Sequence, residues 1–158
     1  MRQGTLSQPR LDELGAVALE GLLKSTFGCD LQRVTDLTVA ALIGPDVLIV
    51  RVPIRGSQAE GQMLLSLSPV LSAQLMTIFV GQTDSAIPDI SQLIDFAGEL
   101  CNMLAGRLGA LLAAAGIELE LGTPSGVSAA DARQLEHWLT WRCGPLPIGI
   151  CVQLDGLQ

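Results

Sequence analysis

Tyrosine is absent from this 158-residue chain, and three Phe and two Trp are all the aromatic side chains it has. That leaves too little aromatic surface for stacking bases or sugar rings, and the core has to be built from Leu, Ile, Val and Ala. Basic residues are scarce as well: 9 Lys and Arg against 16 Asp and Glu give a formal charge of -7. A nucleic-acid footprint needs a concentrated basic surface to displace counterions from phosphates, so neither nucleic acid nor an anionic membrane surface is an expected partner. One histidine, His137, and four cysteines at 29, 101, 143 and 151 without any CxxC pair offer no zinc-ligand pattern. P-loop, dinucleotide-binding glycine and GxSxG patterns are missing too, and no serine has a histidine at hand to activate it. The opening residues MRQGTLSQPR are polar and carry no apolar h-region. Cytoplasmic residence with reduced thiols is the expectation.

Against these absences stands a chain that is 49% hydrophobic and only 16% charged, long enough to bury a core without disulfides or a structural metal. One domain spanning 1–158 is expected, with 1–9 as a flexible N-terminal segment. The uncharged stretch Gly61 to Thr83 has the length of a membrane span, but Ser66, Ser68, Pro69, Ser72, Gln74 and Gln82 interrupt it. A strand followed by a helix suits it better, and no membrane insertion is expected.

Helical spacing of Leu11, Leu14, Ala18, Leu19, Leu22 and Phe27 predicts a first amphipathic helix over Arg10 to Phe27, stopped by Gly28. The β-branched runs Leu37 to Ile43 and Val47 to Ile54, separated by Gly44-Pro45-Asp46, predict a hairpin, with Pro53 at an edge or bulge. Gln62 to Leu67 reads as a third strand, and Ser68-Pro69 as the N-cap and first position of a helix ending near Gly81. A polar loop over Gln82 to Asp89 precedes the longest helical stretch, Ile90 to Ala115, closed by Gly116. Ile117, Leu119 and Leu121 alternate with Glu118 and Glu120 as a half-buried strand, and Gly122 to Asp131 is a loop. Trp138 to Cys143 and Ile148 to Leu154 predict a closing hairpin. The fold class is α+β, an antiparallel sheet built from hairpins with long helices packed on it.

The long helix carries the chemistry. At about 100° per residue, Asp95, Glu99, Asn102, Gly106 and Gly109 fall within an arc of roughly 80°. Phe96, Leu100, Leu104, Leu108, Leu111 and Leu112 take the wide apolar remainder, with Arg107 the exception and Cys101 a small core hydrophobe. Two glycines on the polar edge cost the helix about 1 kcal/mol each relative to alanine, which is easier to understand if something must approach closely. Taken alone, the spacing also fits polar residues that merely solvate an exposed edge. His137, beside Trp138 and without a second ligand, reads as structural or exposed.

The string Asp95-Phe-Ala-Gly-Glu99-Leu-Cys-Asn102-Met-Leu-Ala-Gly106 resembles the D/S-x3-E-x2-N signature of the CheC/CheX/FliY chemotaxis phosphatases, in the E-x-x-N-M-x-A-G wording of CheX-like members. The Ser-Pro-initiated helix and the segment Leu121-Gly-Thr-Pro-Ser-Gly-Val127 also look like that family's layout. CheC-type members carry the motif twice; here the earlier helix, Ser72 to Phe79, has neither the Glu nor the Asn, which agrees with a single-site, CheX-like arrangement.

The resemblance implies a phosphatase acting on the phosphoaspartate of a CheY-type response-regulator receiver. Asn102 would orient the attacking water and Glu99 would pair with the receiver's active-site lysine, making these two the catalytic residues. Asp95, Glu99 and Gly106 would meet the partner. The chain would bring no cofactor of its own, Mg²⁺ being supplied by the receiver. A homodimer joined by the two terminal strands is also expected, their hydrophobic edges having only Arg142 as an interior charge. Two other functions fit such a scaffold: a non-catalytic receiver-binding adaptor or flagellar-switch-type interaction module, and a small-ligand sensor with an enclosed apolar pocket.

Overall fold

The structure, a computed structural model, describes residues 6–57, 59–81 and 88–155. The first helix, α1 (Gln8–Phe27), starts two residues before the expected Arg10: the Ser7 hydroxyl accepts from the Arg10 N–H, and Pro9 occupies the first turn. Gln8 and Pro9 therefore do not belong to a flexible segment; of the expected 1–9, residues 1–5 lie outside the described residues. Gly28 ends the helix at φ 66°, a left-handed conformation that glycine enters without a Cβ clash.

After β1 (Gln32–Val34), a three-residue strand outside the expected elements, comes the main departure from expectation. Leu37 to Ile43 is not a strand. Thr38 caps a single helical turn, α2 (Val39–Leu42), its hydroxyl accepting from the Ala41 N–H. Leu42 and Ile43 are buried against Ile49, Leu64 and Cys151, and this tertiary burial overrides the strand preference of Val39 and Ile43. The hairpin partner of β2 (Leu48–Gly56) is instead β3 (Glu60–Leu67), in register from Leu48↔Leu67 to Arg55↔Glu60. Pro53 leaves the β2–β3 ladder intact: its carbonyl turns away from β3 to accept from the Gly122 N–H, so its nitrogen lies on that side as well.

Ser68 and Pro69 start α3 (Pro69–Val80) as expected, and Gly81 closes it at φ 68°. The Gln82–Asp89 loop falls mostly outside the described residues. The long helix α4 (Ile90–Ala114) follows, then β4 (Leu119–Leu121). Within the expected loop Gly122 to Asp131 lie a two-residue strand, β5 (Ser125–Gly126), and the start of a short helix, α5 (Ala129–Arg133). The closing hairpin is β6 (Leu139–Cys143) and β7 (Leu146–Asp155). Its turn is Gly144-Pro145, with Gly144 at φ 60° as the first central position of a type II′ turn requires.

The strands form one antiparallel sheet in the order β1-β6-β7-β3-β2-β4, with β5 also on β2. This narrows the expected dimer surface. β1 pairs β6 at 140–142, and β7 lies beside β3 along 148–155 but beside β6 only along 146–150, so no strand pairs with the outer side of 151–155, where the Gln8 side chain donates to the Val152 carbonyl. The other free edges among the described residues are β1, β4 and β5, of three, three and two residues.

Side chains of α1, α3 and α4 pack on one sheet face with Val50, Val52, Met63, Leu65 and Ile150. α2 and α5 cover the alternate side chains Ile49, Leu64 and Cys151 on the other. Covering both faces explains why β3 and β7 contain unbroken buried runs, 63–67 and 148–152, rather than alternation.

Candidate functional site

Helix α4 begins with a capping box: the Asp89 carboxylate accepts from the Gln92 N–H at 2.9 Å, and the Gln92 side chain accepts from the Asp89 N–H at 2.9 Å. The Gln92 N–H, then the Ser91 hydroxyl, hold the Asp89 carboxyl below its ordinary range. Leu93, Phe96, Ala97, Leu100, Cys101, Leu104, Leu108 and Leu112 are buried, which fixes the rotation of the helix. Its opposite edge carries the three motif side chains, Asp95 and Glu99 exposed and Asn102 half-buried, with Gly106 exposed and Gly109 half-buried beyond them. At 1.5 Å per residue, Asp95 stands about 6 Å along the axis from Glu99 and Asn102 about 4.5 Å further.

The ion pairs among the described residues, Arg10–Glu13, Arg55–Glu60, Glu136–His137 and Asp36–Arg142, leave Asp95 and Glu99 out. Arg107, the one charge on the apolar side of the wheel, donates to the Ser25 hydroxyl at 2.6 Å and ties α4 to α1. It takes no part in the motif face. Ser72, on the earlier helix, is buried and donates to the Leu93 carbonyl at 3.0 Å, so that helix uses its polar side chain for packing against α4. His137 is remote from the motif, with φ 67° and exposed beside Glu136. No three His, Cys, Asp or Glu side chains converge as metal ligands among the described residues, and no described helix is long and apolar enough to cross a membrane.

Opposite the carboxylates the structure places residues of the expected loop Gly122 to Asp131. Asp95, Gly98 and Glu99 form one side of a surface cleft of about 310 Å³, and Pro124, Ser125 and Gly126 form the other. A Cβ built on Gly98 would stand 3.3 Å from the Cβ of Pro124, so the bare backbone there is what lets the loop come in. Gly98, between the two motif carboxylates, was the available signal, but nothing local to it names Pro124 as its neighbour. Gly106 and Gly109 face open space, with nothing within 4 Å of an added Cβ.

An edge of two carboxylates and an amide, projecting from a helix otherwise buried, can donate, accept and pair with a cation. The family profile "Chemotaxis phosphatase CheX" matches residues 48–137, more than half of the chain and all of the motif. The chain belongs to the CheX family. It is thus a chemotaxis phosphatase by family. Solved structures agree in fold: CheX from Vibrio vulnificus is 19% identical, with a TM-score of 0.66 over 90% of this chain and 96% of that one. A CheX–CheY–BeF₃–Mg²⁺ complex from Borrelia burgdorferi is similar at 13% identity, a TM-score of 0.65 and coverage of 90% and 96%. FliY from Thermotoga maritima is similar at 15% identity, a TM-score of 0.59 and coverage of 95% and 90%. By sequence, no curated protein matches.

Proposed function

We propose that this chain dephosphorylates a CheY-type receiver by presenting the Asp95–Glu99–Asn102 edge of α4 to the receiver's phosphoaspartate. The observation that supports the reading is the edge itself: three polar side chains aligned on a mostly buried helix, the two carboxylates without ion-pair partners among the described residues. Hydrolysis of an acyl phosphate adds water across the phosphorus–oxygen bond and leaves aspartate and inorganic phosphate. No covalent step on this chain is required. The Asn102 amide accepts from the water and donates to a neighbouring group, aiming the water's lone pair in line with the bond that breaks.

Glu99, one turn away, pairs with the receiver's lysine and sets the docking register. Asp95 supplies a second contact further toward the helix N-terminus, and Gly106 leaves room for the receiver's loops. Mg²⁺ and the phosphorylated aspartate both arrive with the receiver, in keeping with the CheX–CheY–BeF₃–Mg²⁺ composition of the Borrelia burgdorferi complex.

The test is the decay of a phosphorylated CheY-type receiver in Mg²⁺ buffer with and without this protein. Catalytic acceleration of phosphate release at substoichiometric protein is expected. Stable complex formation without acceleration would instead indicate an adaptor.

A further inference from the structure

Two open clefts lie back to back at the β5 end of the sheet, and the partition between them is one short piece of chain. The motif cleft on the α4 side is bounded by Pro124, Ser125 and Gly126. On the opposite sheet face, a cleft of about 400 Å³ has Arg51 and Gln62 on one side and Gly126 and Ser128 on the other. The partition has little backbone to hold it. β5 pairs with β2 at only two positions, Val50↔Gly126 and Arg51↔Ser125, flanked by Gly122 N–H to Pro53 carbonyl at 2.7 Å and Val127 N–H to Ile49 carbonyl at 2.9 Å.

Side chains add what the backbone lacks. Arg51 is exposed between the buried Val50 and Val52, so it stands on the face away from α4. Its Nε donates to the Ser125 hydroxyl at 3.2 Å and its Nη1 to the Gln62 side-chain Oε1 at 3.3 Å. Gln62 in turn donates to the Gln153 side chain at 3.0 Å. Three hydrogen bonds thus run across β5, β2, β3 and β7 and anchor the edge strand to the middle of the sheet. From the front, Pro124 rests on Gly98, between Asp95 and Glu99.

We propose that Pro124–Gly126 is the second wall of the receiver-docking face, and that Arg51 is the positioning residue that holds this wall from behind through Ser125. The inference rests on the receiver-docking reading above. A fixed wall beside Glu99 excludes water from the charge pair that Glu99 makes with a docked receiver, and exclusion of water is what gives such a pair its worth. Arg51 touches neither receiver nor reacting atoms. Its loss therefore acts on docking and not on the aim of the water.

Affinity for a receiver trapped with beryllofluoride and Mg²⁺, which imitates the phosphoaspartate, reads the wall independently of turnover. Arg51→Ala and Ser125→Ala in the full chain are expected to weaken that binding about three- to tenfold, the loss of one ordinary hydrogen bond. KM for the phosphorylated receiver should rise to match while kcat stays within about twofold. Ser125→Thr keeps the hydroxyl and should bind like the parent. Gly98→Ala, which pushes on Pro124 from the helix side, gives a second route to the same split should Arg51→Ala fail to fold. Parent-like affinity in folded Arg51→Ala and Ser125→Ala, or a fall in kcat at unchanged KM, would overturn the assignment. A parent that binds the trapped receiver without accelerating phosphate release defeats the phosphatase reading alone, and the affinities then still decide the wall. A parent that does not bind the trapped receiver overturns both.

Discussion

Glu99 and Asn102 share a helix edge but differ in what surrounds them, Glu99 exposed and Asn102 half-buried. The carboxylate is placed to meet a partner's charge, and removing it strands the partner's lysine without compensation. Glu99→Ala is therefore expected to weaken binding of the trapped receiver at least about tenfold, some 1.4 kcal/mol, as titration calorimetry would show; unchanged affinity would remove the pairing. The buried thiols make a separate prediction. Burial pushes Cys101 up to about 12, and burial followed by the Asp12 charge does the same to Cys151. Burial and then the neighbouring Cys29 thiol push Cys143 up to about 11. These folded values stand above the ordinary thiol value of 9.0. Their contribution to stability is whole below about pH 9 and is lost as pH rises through the folded values. Urea unfolding should give a lower stability near pH 10.5 than near pH 8, and Cys101 should resist a thiol reagent near pH 8 until the chain unfolds. Rapid modification of Cys101 in the folded protein would contradict this.

At the scale of elements, what could be read in advance was what local signals encode. α3 announces itself through Ser68 and Pro69 and α4 through its apolar spacing, whereas α1 shows its apolar spacing from Leu11 on but begins earlier, at Gln8, where Ser7 caps it and Pro9 fits its first turn. β4 shows in the alternation of Leu119 and Leu121 with Glu118 and Glu120, but α2 and α5 are too short to show a period, and β1 and β5 exist as strands because longer strands lie beside them. The misassigned Leu37 to Ile43 follows from this: its residues favour a strand, and only packing of Leu42 and Ile43 against another part of the chain decides otherwise. Gly106 offers a test at the same scale. Nothing lies within 4 Å of a Cβ placed there, so internal packing gives no reason for glycine. Gly106→Ala should stabilise the protein by up to about 1 kcal/mol, raising the melting temperature by about 2–4 °C, and should bind the receiver more weakly. A stabilised variant with parent affinity would leave Gly106 outside the docking face.

For the molecule as a whole, topology decided what patterning could not. The terminal hairpin has the hydrophobic runs of an association edge, yet β1 pairs β6 at 140–142 and β3 covers the inner side of β7, which leaves only the outer side of 151–155 without a strand. A two-fold pairing of sheets through this hairpin would have to use 151–155, because β1, β4 and β5 have three residues or fewer, the short kind that resists edge-to-edge association. The motif edge was legible because Asp95, Glu99 and Asn102 lie within two helical turns, where spacing fixes the shared face. The opposing Pro124–Gly126 was not, because β2 brings it there from a later part of the chain. The claim that ties the motif to chemistry is that Asn102 aims water at phosphorus and contributes little to docking. Single-turnover phosphate release from a phosphorylated CheY-type receiver, run with parent and Asn102→Ala alongside their affinities for the trapped receiver, tests it most directly. The account predicts a rate lower by on the order of 10²-fold, about 2.7 kcal/mol of barrier, at parent affinity; Asn102→Ala turning over at the parent rate would contradict it.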